Sequence, residues 1–184
     1  MRVTFATLTS DIRIFKLRVV VPRSSLSAAS EWAIHACLLL AFLPDGARLP
    51  AAKIAEFHEL PAAYLAKHLQ DLVRAGIVES TAGRRGGFRL ARPPSRISVL
   101  DIVDAVSDKP LFECTEIRQQ GPCAGTPDDH IRPCGIAVVM ARAERAWRSE
   151  LRRASLEEVV ASMRHAGSTT TRTAARQWLQ VAVR

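Results

Sequence analysis

The sequence predicts a mainly α-helical chain that carries one small β-hairpin. Three observations lead there. Apolar residues recur at helical spacing in several stretches, and Pro- and Gly-marked breaks separate them. Between residues 77 and 90, two short runs of strand character flank the turn Ala82-Gly83-Arg84-Arg85-Gly86-Gly87. The chain has 184 residues, 48% hydrophobic but only 5% aromatic. That supports one core of ordinary size, built on Ala, Leu, Val and Ile, with appendages.

The elements follow in order. Residues 1–25 share none of this periodicity; Val19, Val20 and Val21 stop at Pro22, and the stretch reads as a poorly ordered extension. A first helix is expected over about 26–43, where Trp32, Ala33, Ala36, Cys37, Leu40 and Leu43 fall on one face. Pro44, Asp45 and Gly46 end it. A short second helix starts at Pro50 and carries Ile54, and His58-Glu59-Leu60 forms a turn. A third helix starts at Pro61, buries Leu65, Leu69, Leu72 and Val73, and is capped by Gly76. After the hairpin, Ser98 caps a fourth helix, with Asp101 three residues on and an Ile97/Ile102 staple. Residues 26–106 thus form one unit.

Residues 107–134 are rich in Pro, Gly, Asp and Cys and show no period. A loop this long is functional or disordered. Beyond it, Ile136, Met140, Ala143, Trp147 and Leu151 step by three or four along a helix whose other face holds Arg142, Arg145, Arg148, Arg152 and Arg153. Such an arginine face is usually solvated. The apolar stripe needs a partner, and a second copy of the helix is the simplest one, so a homodimer is expected. A short helix over about 156–163 completes the 135–165 region. Residues 166–184 read as a loosely held tail in which Trp178 and Leu179 pack locally.

Charge and cysteines narrow the function. Lys and Arg total 26 against 18 Asp and Glu, a net charge of +8. Nucleic acid, a membrane surface or an acidic partner would each suit that balance. No apolar run reaches the roughly 18 residues of a membrane span, and Asp11, Arg13, Lys16 and Arg18 interrupt any leader-like segment. The expectation is a cytoplasmic protein with no membrane partner. Cytoplasmic thiols stay reduced, so the four cysteines suggest metal or redox chemistry rather than disulfides.

Two helices joined by a tight turn and followed by a two-stranded wing form the order of a winged helix-turn-helix. The third helix suits the major groove of double-stranded DNA, and the wing lies along the backbone. Because the apolar side of the third helix belongs to the core, its reading face is Ala62, Ala63, Tyr64, Lys67, His68 and Gln70. Arg84 and Arg85 at the wing tip reach phosphate or the minor groove. The plainer alternative is a basic, solvated hairpin beside an ordinary helical domain. In the irregular loop, Cys114, Cys123 and Cys134 are soft ligands that suit an iron–sulfur cluster. A thiol-only switch, or no cofactor, remains open. Cys37 reads as a small buried hydrophobe, His35 as a packed or surface residue, and His130 as exposed, with a lesser reading as a substitute ligand. No nucleophile elbow, phosphate loop or paired-carboxylate spacing is present, so a thiol or metal enzyme is the least favoured class and the chain is read as not an enzyme.

Four runs carry a specific resemblance: Glu31-Trp32-Ala33-Ile34-His35, Tyr64-Leu65-Ala66-Lys67, Leu72-Val73-Arg74-Ala75-Gly76-Ile77-Val78, and Gly83-Arg84-Arg85-Gly86-Gly87-Phe88-Arg89-Leu90-Ala91-Arg92-Pro93. Over about residues 26–163 the chain resembles the Rrf-two family of bacterial regulators, which includes the iron–sulfur regulators IscR, NsrR and RsrR. The resemblance implies a winged helix-turn-helix with a long C-terminal dimerisation helix, a DNA operator as partner, and regulation, most simply repression, switched by a cluster that responds to redox state, nitric oxide or iron. The wide cysteine spacing is similar to that of the RsrR-like redox-sensing branch. That implies a 2Fe–2S cluster, with 4Fe–4S as the alternative, held by Cys114, Cys134, His58 and Glu31 across the dimer. Cys123 is then surplus or replaces His58. Many relatives carry an arginine where this chain has Ala82, which bears on operator preference.

Overall fold

A computed structural model describes residues 27–83, 86–107, 110–165 and 168–183. Residues 1–25 and the wing-tip pair Arg84 and Arg85 lie outside the described residues.

The first helix, α1 (Ala28–Ala41), starts where the Ser27 hydroxyl accepts the Ser30 amide at 3.1 Å. Ala33, Ala36, Cys37 and Leu40 are buried, and so are Leu38 and Leu39. The C-terminal half of α1 is therefore enclosed on most sides. The next helices, α2 (Ala51–His58) and α3 (Ala62–Arg74), each begin one residue after a proline. Pro50 and Pro61 occupy the capping position rather than the first helical one, and their carbonyls accept the first helical amides (Ile54 at 3.1 Å, Leu65 at 3.0 Å). Both helices end in the same way. Glu59 (φ 52°) and Gly76 (φ 65°) turn left-handed, and the following amides return to the last helical turn (Leu60 to Ala55, 2.9 Å; Ile77 to Leu72, 3.0 Å). The tight turn expected at 58–60 is thus a helix stop made without glycine.

The wing pairs β1 (Val78–Thr81) antiparallel with β2 (Gly87–Leu90), placing Val78 opposite Leu90 and Thr81 opposite Gly87. Leu49 supplies a third rung that sequence periodicity missed. It exchanges hydrogen bonds with Phe88 at 3.0 and 2.9 Å, so the wing is sewn to the residue before Pro50. Glu79 sits opposite Arg89 and bonds both Arg89 (2.5 Å) and Arg48 (2.7 Å). Those two hydrogen bonds hold the Glu79 carboxyl below its ordinary range. Their contribution is therefore present above the ordinary carboxylate pKa and lost as pH falls through the lowered value. At Gly87 (φ 148°), an added Cβ would lie 2.7 Å from the Leu49 carbonyl carbon. Gly87→Ala is expected to cost about 1–3 kcal/mol, as overpacking against backbone does. A urea denaturation midpoint unchanged from the parent would contradict this.

The fourth helix, α4 (Val99–Val106), opens with a capping box: Asp101 N–H donates to Ser98 Oγ at 3.1 Å and Ser98 N–H to Asp101 Oδ2 at 3.0 Å. Ile97 and Ile102 are fully buried beneath it. After the cysteine loop come α5 (Gly135–Arg153) and α6 (Leu156–His165). A bridge beside Ser98 and Ser155 ties the start of α6 to the start of α4 (Leu156 to Ile97, 2.8 Å; Val99 to Ala154, 2.9 Å). Leu156 and Val160 then enter the core. Arg148 grips Asp104 with two bonds, at 2.9 and 2.7 Å, and so fixes α5 against α4.

The expectation of a loosely held tail is corrected. Residues 169–182 form α7 (Thr169–Ala182), a 14-residue helix capped by Ser168. Its Trp178, Leu179 and Ala182 pack against the core, as does Val183 just after it, and the Trp178 ring lies 4.9 Å from that of Phe57. The Thr-rich start concealed it, because Ser and Thr side chains favour caps and turns over helix interiors.

Candidate nucleic-acid interface and cysteine loop

The α3 helix sorts its residues by period. Leu65, Leu69 and Leu72 are fully buried, whereas Ala62, Ala63, Tyr64, Lys67 and Gln70 are exposed on the opposite side. His68 is the exception to the predicted reading face. It is only 5% exposed, one position before Leu69, with its ring 4.7 Å from Tyr64 and Nδ1 3.5 Å from Asp71. It supports Tyr64 from behind and presents nothing to a groove. Tyr64, half exposed, is braced on its other side by Trp32 of α1, edge-on at 5.4 Å.

The cysteine loop is organised by Arg118. Its guanidinium pairs with Glu116 and donates to the Arg132 carbonyl at 3.1 Å. Hydrogen bonding to Glu116 first, together with the charge of that carboxylate, holds Arg118 above its ordinary pKa. Cys134 is half-buried and caps α5, its Sγ accepting from Ala137 N–H at 3.3 Å. Cys114 and Cys123 are exposed. Cys37 is enclosed, and burial pushes its thiol up to about 12, in keeping with a hydrophobe's role.

The other predicted ligands sit on the helix-turn-helix. Glu31, in the first turn of α1, is exposed. His58, at the end of α2, is half-buried; its Nε2 is enclosed without a hydrogen-bond partner, and its ring packs between Phe57 (4.9 Å) and His35 (5.4 Å). Burial first, then the charge of His35, lowers its pKa. His35 itself is exposed one helical turn after Glu31. The Glu31-x-x-x-His35 spacing was the available signal for this neighbour, since residues four apart share a helix face. Among the described residues, no group of three or more His, Cys, Asp and Glu converges as a metal site. Among the described residues, the structure thus gathers no three of Cys114, Cys123, Cys134, Glu31 and His58 within one chain.

The α5 stripe is uncovered. None of its residues is buried; Ile136 is 68% exposed, Ala143 is exposed, and Met140, Trp147 and Leu151 are half-buried. Val138 and Val139, outside the predicted stripe, add to the exposed apolar surface. Among the described residues, no helix is long and apolar enough to cross a membrane.

A helix with a sorted reading face, preceded by a capped turn and followed by a β-wing, defines the class of winged helix-turn-helix DNA-binding transcription regulators. Residues 26–162 match the family described as Rrf2, iron-dependent transcriptional regulator, and the chain belongs to that family. A Bacillus subtilis protein named as an HTH-type transcriptional regulator, YwgB, is 31% identical over 135 residues, covering 73% of this chain and 83% of its own. Among solved structures, T. potens IscR superposes with a TM-score of 0.60 at 20% identity, covering 79% of this chain and 93% of its own. The oxidized form of Staphylococcus aureus CymR gives 0.56 at 21%, covering 73% and 94%. CymR of B. subtilis, the global cysteine regulator of that organism, gives 0.56 at 21%, covering 74% and 95%. At these identities the structures establish the shared fold.

Proposed function

We propose that this chain acts in the cytoplasm as a homodimeric repressor of the RsrR-like kind, whose grip on its operator is set by an iron–sulfur cluster, 2Fe–2S in preference to 4Fe–4S, shared between two chains. The observation that carries this reading is the division of donors. Cys114 and Cys134 stand at the two ends of one loop, the first exposed and the second capping α5, while the exposed donors Glu31 and His35 stand a helical turn apart on α1. Neither set fills four positions alone, so the donor chemistry fits a site completed across a dimer. The iron-dependent description of the matching family agrees with it. The bare apolar stripe of α5 supplies a surface for the second chain. Glu31, Cys114 and Cys134 are the favoured ligands with one histidine. The enclosure of His58 favours His35 for that place, and Cys123 is surplus.

When bound, such a cluster supplies one-electron redox chemistry and a change of local charge. The rest of the mechanism belongs to the chain. Glu31 and His35 flank Trp32, whose ring edge rests on Tyr64 of the reading face. A constraint on this face of α1 therefore bears directly on the presentation of α3. Lys67, Tyr64 and Gln70 face the groove, and Arg84 and Arg85 hold the flanking backbone. A coupling of about 1–3 kcal/mol between the two sites changes operator affinity roughly 5- to 150-fold.

A second reading keeps the regulator and dispenses with metal: Cys114, Cys123 and Cys134 act as a thiol switch. The exposure of Cys114 and Cys123 and the helix-capping position of Cys134 favour it. Spectra of protein purified without oxygen separate the two. Under the cluster reading the wild type absorbs visible light and contains iron and acid-labile sulfide. Cys114→Ser, Cys134→Ser and His35→Ala lose that absorption, and Cys123→Ser and His58→Ala keep it. A colourless, iron-free wild type after reconstitution leaves the thiol reading.

A further inference from the structure

Helix α7 does more than close the core. It stands over α1, α2 and α6 and roofs a cavity of about 700 Å³, within the range of roughly 300–1,000 Å³ common for small-molecule sites. Leu38, Leu39 and Phe57 form the floor, and Leu179 lines the α7 side. At the mouth stand Arg164 of α6 and Arg172 and Arg176 of α7, the last two a helical turn apart on one face. No ion pair among the described residues engages Arg164 or Arg176. The enclosed, unbonded Nε2 of His58 belongs to a residue of the inner wall. The Rrf2 match ends at residue 162, so Met163, Arg164 and every α7 residue of the lining lie beyond the segment shared with the family.

An apolar chamber with a cationic mouth selects a ligand by both properties. Neutral apolar molecules gain burial but leave Arg164 and Arg176 unmatched, and small inorganic anions gain pairing but leave the floor wet. Arginine forks suit a carboxylate or phosphate head. We propose that this cavity is a binding site for a small amphipathic organic anion, an apolar body with one carboxylate or phosphate head. Its walls include α2, the first helix of the helix-turn-helix, so occupancy is sensed next to the reading helix.

The test is isothermal titration calorimetry of the intact protein with decanoate, below its micellar concentration. The measurement reads neither DNA nor iron; because His35, the histidine favoured for the cluster, also lines the cavity, it is made on iron-free and on reconstituted protein, and binding to the iron-free protein is what the proposal requires. The expected result is saturable binding, one per chain, with decanol and propionate each at least tenfold weaker. The triple variant Arg164→Gln, Arg172→Gln, Arg176→Gln alters exposed side chains; it is expected to melt like the parent and to bind decanoate at least tenfold more weakly. Ala175→Trp, which fills the chamber from α7, is expected to abolish binding while keeping the arginines. Absence of saturable decanoate binding, equal binding of decanol, or an undiminished affinity in the triple variant or in Ala175→Trp would each overturn the proposal.

Discussion

Leu69→Ala is expected to lower folding stability by about 2–5 kcal/mol, the usual cost of emptying a fully buried leucine site. Leu69 is completely enclosed where α3 meets the core, in the same turn as the exposed Gln70. Its loss leaves a void that α1 and α4, both packed on α3, cannot fill without moving helices held by Ser27 and by the Ser98–Asp101 capping box. Domains of this size have only about 5–15 kcal/mol in total, so one methylene cluster governs whether α3 is presented at all. Urea denaturation measures the effect, and Gln70→Ala is its control. The exposed neighbour should change stability by no more than about 0.5 kcal/mol. A Leu69→Ala loss below about 1 kcal/mol would mean that α3 is not anchored as described.

The second large effect is on DNA rather than on folding. Arg84→Ala combined with Arg85→Ala is expected to flatten the salt dependence of operator binding, because each phosphate contact contributes about 0.9 to the slope of log K against log salt. Two contacts per wing amount to a slope change of about 1.8. Near physiological ionic strength that corresponds to roughly one to two powers of ten in affinity for each wing engaged. Fluorescence anisotropy over a salt series reads both quantities. If the slope is retained, the wing is not a backbone clamp, and the affinity then rests on Lys67, Tyr64 and Gln70. The Leu69 and Arg84/Arg85 experiments separate two failures that look alike in a simple binding assay: losing the reading helix lowers the folded fraction, whereas losing the wing leaves folding intact.

Much of this architecture was legible because its causes are local. The Ser98–Asp101 capping box, the left-handed stop at Gly76 and the Leu65–Leu69–Leu72 face of α3 each depend on residues within a few positions of one another. The stripe on α5 was legible for the same reason. Helical period identified its apolar residues, although it overlooked Val138 and Val139.

The candidate site was legible in composition but less so in arrangement. Cys114, Cys123 and Cys134 stand out by residue type, Glu31 only through the family resemblance, and the wing by its glycines and arginines. Helical period assigns His68 to the face opposite the leucines of the third helix; the packing of α3 instead turns it inward beside Asp71. His58 was preferred over His35 on resemblance, yet enclosure of the one and exposure of the other depend on α1, α2 and α7, which are far apart in the chain.

By itself, then, the sequence determined where helices begin and stop, which face of each is apolar, and which residue types could read DNA or bind a soft metal. These are short-range matters of period, capping and chemistry. Tertiary structure alone decided that Leu49 joins the wing, that α7 is a helix packed on the core, and that a polar side chain such as His68 is withdrawn from solvent. The physical reason is that burial and convergence are set by contacts between distant segments, and no local pattern records which segment will arrive to cover a given face.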